Sequence, residues 1–220
     1  RVTNGLSNQI PVVLYNGAFI RRPGTNELLA SNFFGQEFVS VLDDLIDHQV
    51  YPIVYSLDDG IEKCRFWAEM STDGMKLFNN SRAGDPRETP VHRSEDLYVD
   101  STFYMTCIDT TEKLLPIYKK YKEVFHCVLH HDIYSGNQWL EIMPKSTSKS
   151  NAICQLKELL HCDRVVVFGD GKNDIDMFQM ADECYAMENA VDELKEIATD
   201  IIESNNNDGV AKWLSENCVT

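Results

Sequence analysis

Read for hydrophobic period, IPVVLYNGAFI (10–20) is apolar and β-branched until Asn16-Gly17 interrupts it, which predicts a strand broken by a turn and then resumed. FVSVLDDLIDH (38–48) spaces Phe38, Val41, Leu42, Leu45 and Ile46 at helical intervals, and YPIVYSL (51–57) predicts the strand after that helix. From Asn79 to Asp100 no period is sustained, and Pro, Gly, Asn, Ser, Arg and Asp accumulate. Part of that stretch is expected to be a long surface loop, of the kind that tends to be functional or mobile. TFYMTCID (102–109) predicts a strand, EKLLPIYKKYKEVF (112–125) a helix interrupted or started at Pro116, and HCVLHHD (126–132) a strand. The turn-rich YSGN (134–137) then folds QWLEIMP (138–144) back on it as a hairpin.

The remaining pattern is more regular. SKSNAICQLKELLH predicts a helix with Ser146, Thr147 or Ser148 as N-cap, RVVVFG a buried strand, and DIDMFQMAD and AVDELKEIA two further helices. Helices alternating with continuously apolar strands predict a parallel sheet covered on both faces. The mixture of strands, helices and a hairpin over about 22–138 predicts a separate small α/β unit. No internal repeat is present, and Asn205 to Asn207 is the only low-complexity tract.

Composition narrows the class. The 220 residues suffice for one large domain or two modest ones, and two are expected. With 43% hydrophobic and 25% charged residues the chain is an ordinary globular one, and no stretch nears the roughly 20 apolar residues of a membrane helix. The polar RVTNGLSNQI has no apolar core of a signal peptide, so a cytoplasmic location is expected. A net charge of -15, from 35 acidic and 20 basic residues, argues against nucleic acid as partner. An acidic protein that handles an anion then needs a local cation or a placed Lys or Arg. The seven cysteines are odd in number, widely spaced and free of any Cys-x-x-Cys pair, which predicts reduced, mostly buried thiols.

The candidate chemistry lies in VVVFGDGKNDIDMF (165–178). Four apolar residues stop at a glycine and Asp170, Asn173, Asp174 and Asp176 follow within seven positions, a costly concentration of charge unless a cation occupies it. Ligands of an open parallel sheet sit at the carboxyl ends of its strands, where Asp170 falls. Gly169 and Gly171 suit a tight turn whose amides accept an anion. Asp174, four positions on, is close enough to share a cation with Asp170, and magnesium matches such oxygen donors. The plainer alternative makes Asp174 a helix cap and Asp170 a turn residue.

Gly169-Asp170-Gly171-Lys172-Asn173-Asp174, followed by Met177, resembles the fourth motif of the haloacid dehalogenase superfamily of phosphatases, in its Cof-type branch. EIMPKSTSKSNAI (141–153) is similar to that branch's third-motif segment, with Lys149 at the position of its lysine. VVLYNGAFI resembles the Asn-Gly strand before the cap, and YAMENA (185–190) and SNNNDGVAKWL (204–214) resemble the two C-terminal signatures. Five segments occur in the family's order. The resemblance implies a Rossmann-like parallel-sheet core, residues 1–21 and 139–220, with an inserted α/β cap at 22–138. It implies magnesium-dependent hydrolysis of a small phosphate monoester, a sugar phosphate or similar metabolite, through an aspartyl-phosphate. Carried over, Asp170 is a magnesium ligand, Asp174 supports the metal, Asn173 contacts the phosphoryl group or orders its loop, and Lys149 neutralises phosphate charge and orients the nucleophile. Asn16 and Gly17 border the substrate pocket.

The family's Asp-x-Asp-Gly-Thr nucleophile motif and its second motif are not among these residues. The only Asp-x-Asp, Asp174-Ile175-Asp176, lies inside motif four. The expectation is a chain truncated at its N-terminus: inactive as it stands and unstable unless another segment fills the slot of the first strand. A degenerate, non-catalytic relative that binds magnesium and a phosphorylated ligand is the rival. A phosphomutase would use the same residues, and a nucleotide-binding redox domain would need a Gly-x-Gly-x-x-Gly that is not here. Among weaker candidates, His126, His130, His131 and Cys127 lack a second cluster to complete a zinc site. Arg82, Arg87 and Arg93 suit an anionic substrate but more often are solvated, and Trp67, Trp139 and Trp213 read as core or interface fillers.

Overall fold

The computed structural model describes residues 10–131 and 136–218. Most of the polar N-terminal segment, Asp132 and the Tyr134–Ser135 half of the expected turn lie outside them. The chain forms two compact units, Arg1–Thr147 and Ser148–Thr220.

The N-terminal unit opens with β1 (Val12–Leu14), β2 (Phe19–Arg21) and β3 (Leu28–Ser31), an antiparallel meander. The strand predicted to resume after Asn16-Gly17 instead reverses, because Tyr15, Asn16 and Gly17 all take positive φ (51°, 53° and 104°). Then come α1 (Glu37–Asp47), β4 (Ile53–Asp58), β5 (Ile61–Trp67), α2 (Asp73–Ser81), β6 (Glu88–Val91), β7 (Thr102–Asp109), α3 (Thr111–Tyr121), β8 (His126–His131) and β9 (Gln138–Met143). These strands form one six-stranded sheet in the order β6-β5-β4-β7-β9-β8, antiparallel except for β5 with β6. The predicted hairpin is β8 on β9, with His126 opposite Met143 and His131 opposite Gln138. Pro90 is tolerated in β6 because that strand is an edge. The helix over Pro116 runs through the proline, which sits mid-helix in α3.

Period-two alternation gives this sheet two different faces. Val54, Met105, Cys107, Leu140 and Ile142 point into a core closed by Phe38, Leu42 and Leu45 of α1 and Leu114 and Ile117 of α3. Tyr55, Tyr104, Trp139 and Met143 point the other way, where Met75 of α2 and Ala18 and Phe19 of the meander pack.

The C-terminal unit runs α4 (Lys149–Leu160), β10 (Val166–Gly169), α5 (Ile175–Met180), β11 (Glu183–Met187), α6 (Asp192–Lys195), β12 (Asp200–Ile202) and α7 (Gly209–Asn217). Its sheet is parallel in the order β10-β11-β12, as predicted, with Val167, Phe178, Cys184, Ala186 and Leu194 in its core. Among the described residues β10 is paired on one side only.

The expected division, 1–21 and 139–220 against 22–138, follows the order of motifs, whereas the contacts divide the chain at 147/148. β9 completes the hydrogen bonding of β7 and β8, so 139–143 packs with the six-stranded sheet. Residues 12–21 pack there too, through Phe19 against Phe103 at 4.4 Å between ring centroids. The cysteines are all free, but fewer are buried than expected: Cys154, Cys162 and Cys218 are exposed. Burial pushes the Cys64 thiol up to about 11 and Cys127 up to about 12.

Candidate active site

β10 ends on Gly169, and the chain passes through Asp170 and Gly171 into a 3-10 turn, Lys172–Asp174, that leads into α5. A Cβ on Gly169 would stand 2.8 Å from the Asp174 Cβ and 2.9 Å from its Oδ2, and one on Gly171 would stand 2.5 Å from Asn173 Oδ1. Neither glycine is left-handed; Gly171 has φ -116°. Their role is close approach of side chains to the main chain, beside the tight turn expected from the sequence, which is closed by the Asp174 N–H donating to the Gly171 carbonyl at 3.0 Å.

Into that space Asp174 folds back and is buried, 4% exposed. Its Oδ2 accepts the backbone N–H groups of Asp170 and Gly171, each at 3.1 Å, and its Oδ1 accepts Lys149 Nζ at 2.5 Å. Asp174 stands at the N-cap position of α5, yet its carboxylate makes no capping bond to that helix; it caps the preceding 3-10 turn instead, by accepting the Gly171 N–H. Lys149 is held by its position as the first residue of α4, capped by Ser148, whose Oγ accepts the Asn151 N–H at 3.0 Å. Ser150 N–H donates to Asp176 Oδ2 at 3.4 Å and ties α4 to α5. Charge-assisted bonds to both oxygens are what make a carboxylate tolerable at this depth.

Lys149, Asp170 and Asp174 line one cavity of about 620 Å³, whose apolar walls include Phe168, Met177 and Leu214. The Asp170 carboxylate is exposed there, so its oxygens keep accepting capacity. Among the described residues no group of three or more His, Cys, Asp or Glu side chains gathers to hold a metal. A cation at Asp170 would therefore rely on water and ligand oxygens, as magnesium ordinarily does.

Of the other predicted residues, Asn173 is exposed beside the same loop, its Oδ1 over Gly171. Asn16 and Gly17 lie in the N-terminal unit: Asn16 Nδ2 donates to Glu141 Oε2 at 3.4 Å, and the Gly17 carbonyl accepts Asn32 Nδ2 at 3.0 Å. Arg87 is taken up by Asp85 at 2.6 Å, Arg93 by Asp96 at 2.7 Å, and the Arg82 guanidinium lies 4.4 Å over the Phe78 ring. Trp213 packs on Phe168 and Tyr185, Trp67 on Tyr51 and Trp139 on Phe78.

A second cavity, of about 380 Å³, lies within the N-terminal unit between the sheet's second face and the meander, lined by Tyr15, Tyr55, Phe78, Tyr104, Trp139 and Glu141 among others. Sequence reading passed over it. The signal was present in the alternation of β7 and β9, where Tyr104 and Thr106, then Trp139 and Glu141, stand at every second place in otherwise apolar strands. At its wall Tyr15 Oη donates to Glu62 Oε2 at 2.6 Å, Arg21 donates to Glu62 Oε1 at 2.7 Å, and Arg87 donates to Tyr15 Oη at 2.6 Å. Burial and the Glu62 carboxylate raise the Tyr15 phenol well above its ordinary range.

A haloacid dehalogenase-like hydrolase family model matches residues 1–214. The chain belongs to that family, as an enzyme of the phosphatase type. It is 27% identical over 228 residues to the 5-amino-6-(5-phospho-D-ribitylamino)uracil phosphatase YwtE of Bacillus subtilis, covering 94% of this chain and 78% of that one. It is also 27% identical over 214 residues to the Escherichia coli protein YbjI, which bears the same enzyme name, covering 93% and 73%. In structure it resembles a protein of Thermotoga maritima with a TM-score of 0.73 at 24% identity, covering 96% of this chain and 77% of that one.

Proposed function

We propose that the intact protein hydrolyses a small phosphate monoester, on a polyol, sugar or similar metabolite, with magnesium at Asp170. The observation that carries this reading is the Lys149–Asp174 pair, 2.5 Å apart, set against the amides of Asp170 and Gly171 at the carboxyl end of a parallel strand. Asp174, with both oxygens engaged, fixes the loop and the ammonium, and leaves Asp170 to face the ion. When bound, the magnesium ion draws charge from the phosphoryl oxygens. Lys149 Nζ, partly exposed at the cavity, adds a second positive charge to them, and Asn173 offers an amide donor from the neighbouring loop.

The attacking carboxylate belongs, on this proposal, to an Asp-x-Asp-Gly-Thr segment, which is not among residues 1–220. Its oxygen bonds to phosphorus as the ester P–O bond breaks and the alkoxide leaves, taking a proton from water; a second water then cleaves the aspartyl-phosphate, restoring the carboxylate and releasing inorganic phosphate and a proton to solvent. The six-stranded unit serves as the cap that selects the substrate. The substrate in those relatives' enzyme name, a phosphate on a ribityl chain attached to a uracil, is a reasonable member of the class to test first.

The second reading, a binder of magnesium and a phosphorylated ligand without turnover, is favoured by one fact: the only Asp-x-Asp here is Asp174-Ile175-Asp176, and Asp174 is committed to Lys149. Phosphate release from sugar phosphates, polyol phosphates, nucleotides and pyridoxal phosphate, with and without magnesium, separates the two. Magnesium-dependent release supports the hydrolase; saturable binding with no release supports the binder.

A further inference from the structure

Two ammonium groups stand near the exposed Asp170 carboxylate, and neither takes it. Lys149, on the same cavity, gives its Nζ to Asp174 at 2.5 Å. Lys172, two positions after Asp170, gives its Nζ to Glu193 Oε1, also at 2.5 Å. Among the described residues the Asp170 side chain makes no ion pair or hydrogen bond of its own. Two residues span at most about 7 Å of chain, a gap that the four-carbon stem of a lysine bridges. The molecule itself shows what this spacing permits: Asp85 and Arg87, also two positions apart, pair at 2.6 Å just before β6.

Glu193 is placed to prevent the equivalent pairing. It belongs to α6, whose leading residue is fastened to the loop: Val191 N–H donates to the Asp170 carbonyl at 3.1 Å, while Asp174 Oδ2 accepts the Asp170 N–H. With the main chain of Asp170 held on both sides, Glu193, two residues beyond Val191, meets Lys172. As a source of stability the pair is poor, because its side chains are 69% and 54% exposed and an ion pair in such a setting contributes little. Its effect is on where a positive charge rests. An ammonium on Asp170 would compete with a divalent ion for the same oxygens, and among the described residues no group of three acidic or other metal-binding side chains stands by to replace them.

We propose that Glu193 is a positioning residue for the cation site: by holding the Lys172 ammonium it keeps that charge off Asp170 and leaves the carboxylate open to a divalent ion. This rests on the reading of Asp170 as a magnesium ligand given above, but not on the hydrolysis of any ester. The cation affinity of the site is then set in part by a residue that touches neither the ion nor the substrate.

The test follows the Asp170 and Gly171 amide signals of the full chain in a ¹H–¹⁵N spectrum as magnesium chloride is added at fixed ionic strength. Glu193→Gln should raise the dissociation constant about two- to fivefold, as competition from one exposed ion pair allows. Adding Lys172→Met to that variant should restore most of the loss. A general loss of negative charge would instead let Glu193→Gln weaken binding by the same factor with or without Lys172. A crystal structure of the metal-free Glu193→Gln variant should place Lys172 Nζ within hydrogen-bond distance of the Asp170 carboxylate, a readout that needs no ion. An unchanged dissociation constant, a loss that Lys172→Met does not relieve, or a Lys172 ammonium that stays away from Asp170 in that crystal overturns the proposal. Binding that Asp170→Asn abolishes and Glu193→Gln leaves unchanged would sink this inference and leave the phosphatase reading standing. Competition by Lys172 in a protein that releases no phosphate from any ester would do the reverse, and binding that survives Asp170→Asn would overturn both.

Discussion

The two units build their cavities on opposite principles. In the C-terminal unit the chemistry sits in a loop after a parallel strand, and the decisive carboxylate is held by main-chain amides. In the N-terminal unit the cavity floor is the face of an antiparallel sheet, where Tyr55, Tyr104, Thr106, Trp139 and Glu141 stand at period-two positions, while Tyr15 and Phe78 line it from a turn and a helix. Replacing Glu141 or Trp139 leaves Leu140 and Ile142, on the opposite face, in their core. Replacing Asp174 would orphan two amides and an ammonium together. A main-chain site is therefore fixed in geometry, whereas the lining of a sheet face can change one residue at a time.

The largest expected effect breaks the comparison if it fails. Asp170→Asn or Lys149→Met should reduce phosphate release by about two to three orders of magnitude, as removal of an electrostatic stabiliser does. Glu141→Gln should alter preference among esters far more than it alters the rate with the smallest one. Equal losses for both sites in steady-state assays would mean that the division of labour is wrong.

Next in size, Phe103→Ala removes a fully buried ring that packs on Phe19 and Tyr15, and should cost about 3–5 kcal/mol by urea unfolding. A loss below about 1 kcal/mol would mean that the meander is not packed on the sheet. Gly209→Ala tests the other unit, since a Cβ there would stand 1.9 Å from the Glu203 carbonyl oxygen. Relief requires a backbone shift at the cavity wall, and a cost of about 1–3 kcal/mol is expected.

The smallest effect is a pH slope. Arg87, by its hydrogen bonds, holds the Asp85 carboxyl down at about 2, against about 4 for an unfolded aspartate. Between those values the unfolded chain binds more protons, so this stabilisation is whole above pH 4 and is lost as pH falls towards 2. Asp85→Asn should flatten the dependence of unfolding free energy on pH in that window; an unchanged slope would remove Asp85 from the account.

Much of this was legible in the sequence, for identifiable reasons. Long apolar runs such as TFYMTCID and RVVVFG became β7 and β10, and the spacing of Phe38 to Ile46 became α1, because burial on one face leaves a clear period. Ile61–Trp67 and Asp73–Ser81 gave no such period: β5 interleaves Glu62, Lys63 and Arg65 with its apolar residues, and α2 presents little more than Gly74 and Met75 to the core. β12, with three residues, is shorter than any pattern can mark. At the site, Lys149, Asp170 and Asp174 were readable as a group because the strand-to-helix loop is local. Their connections were not: that Asp174 bonds back to two amides depends on the space left by Gly169. The sheet-face cavity was hidden for a different reason, since its residues come from strands whose pairing only the fold reveals.

Gly169 also bears on how the site meets its ligand. By letting Asp174 lock against the backbone and hold Lys149 beforehand, it removes the conformational search that a loose lysine and a loose carboxylate would each lose on binding. An arriving anion then meets an array already in register, and its affinity owes correspondingly little to ordering the loop and more to the charges themselves.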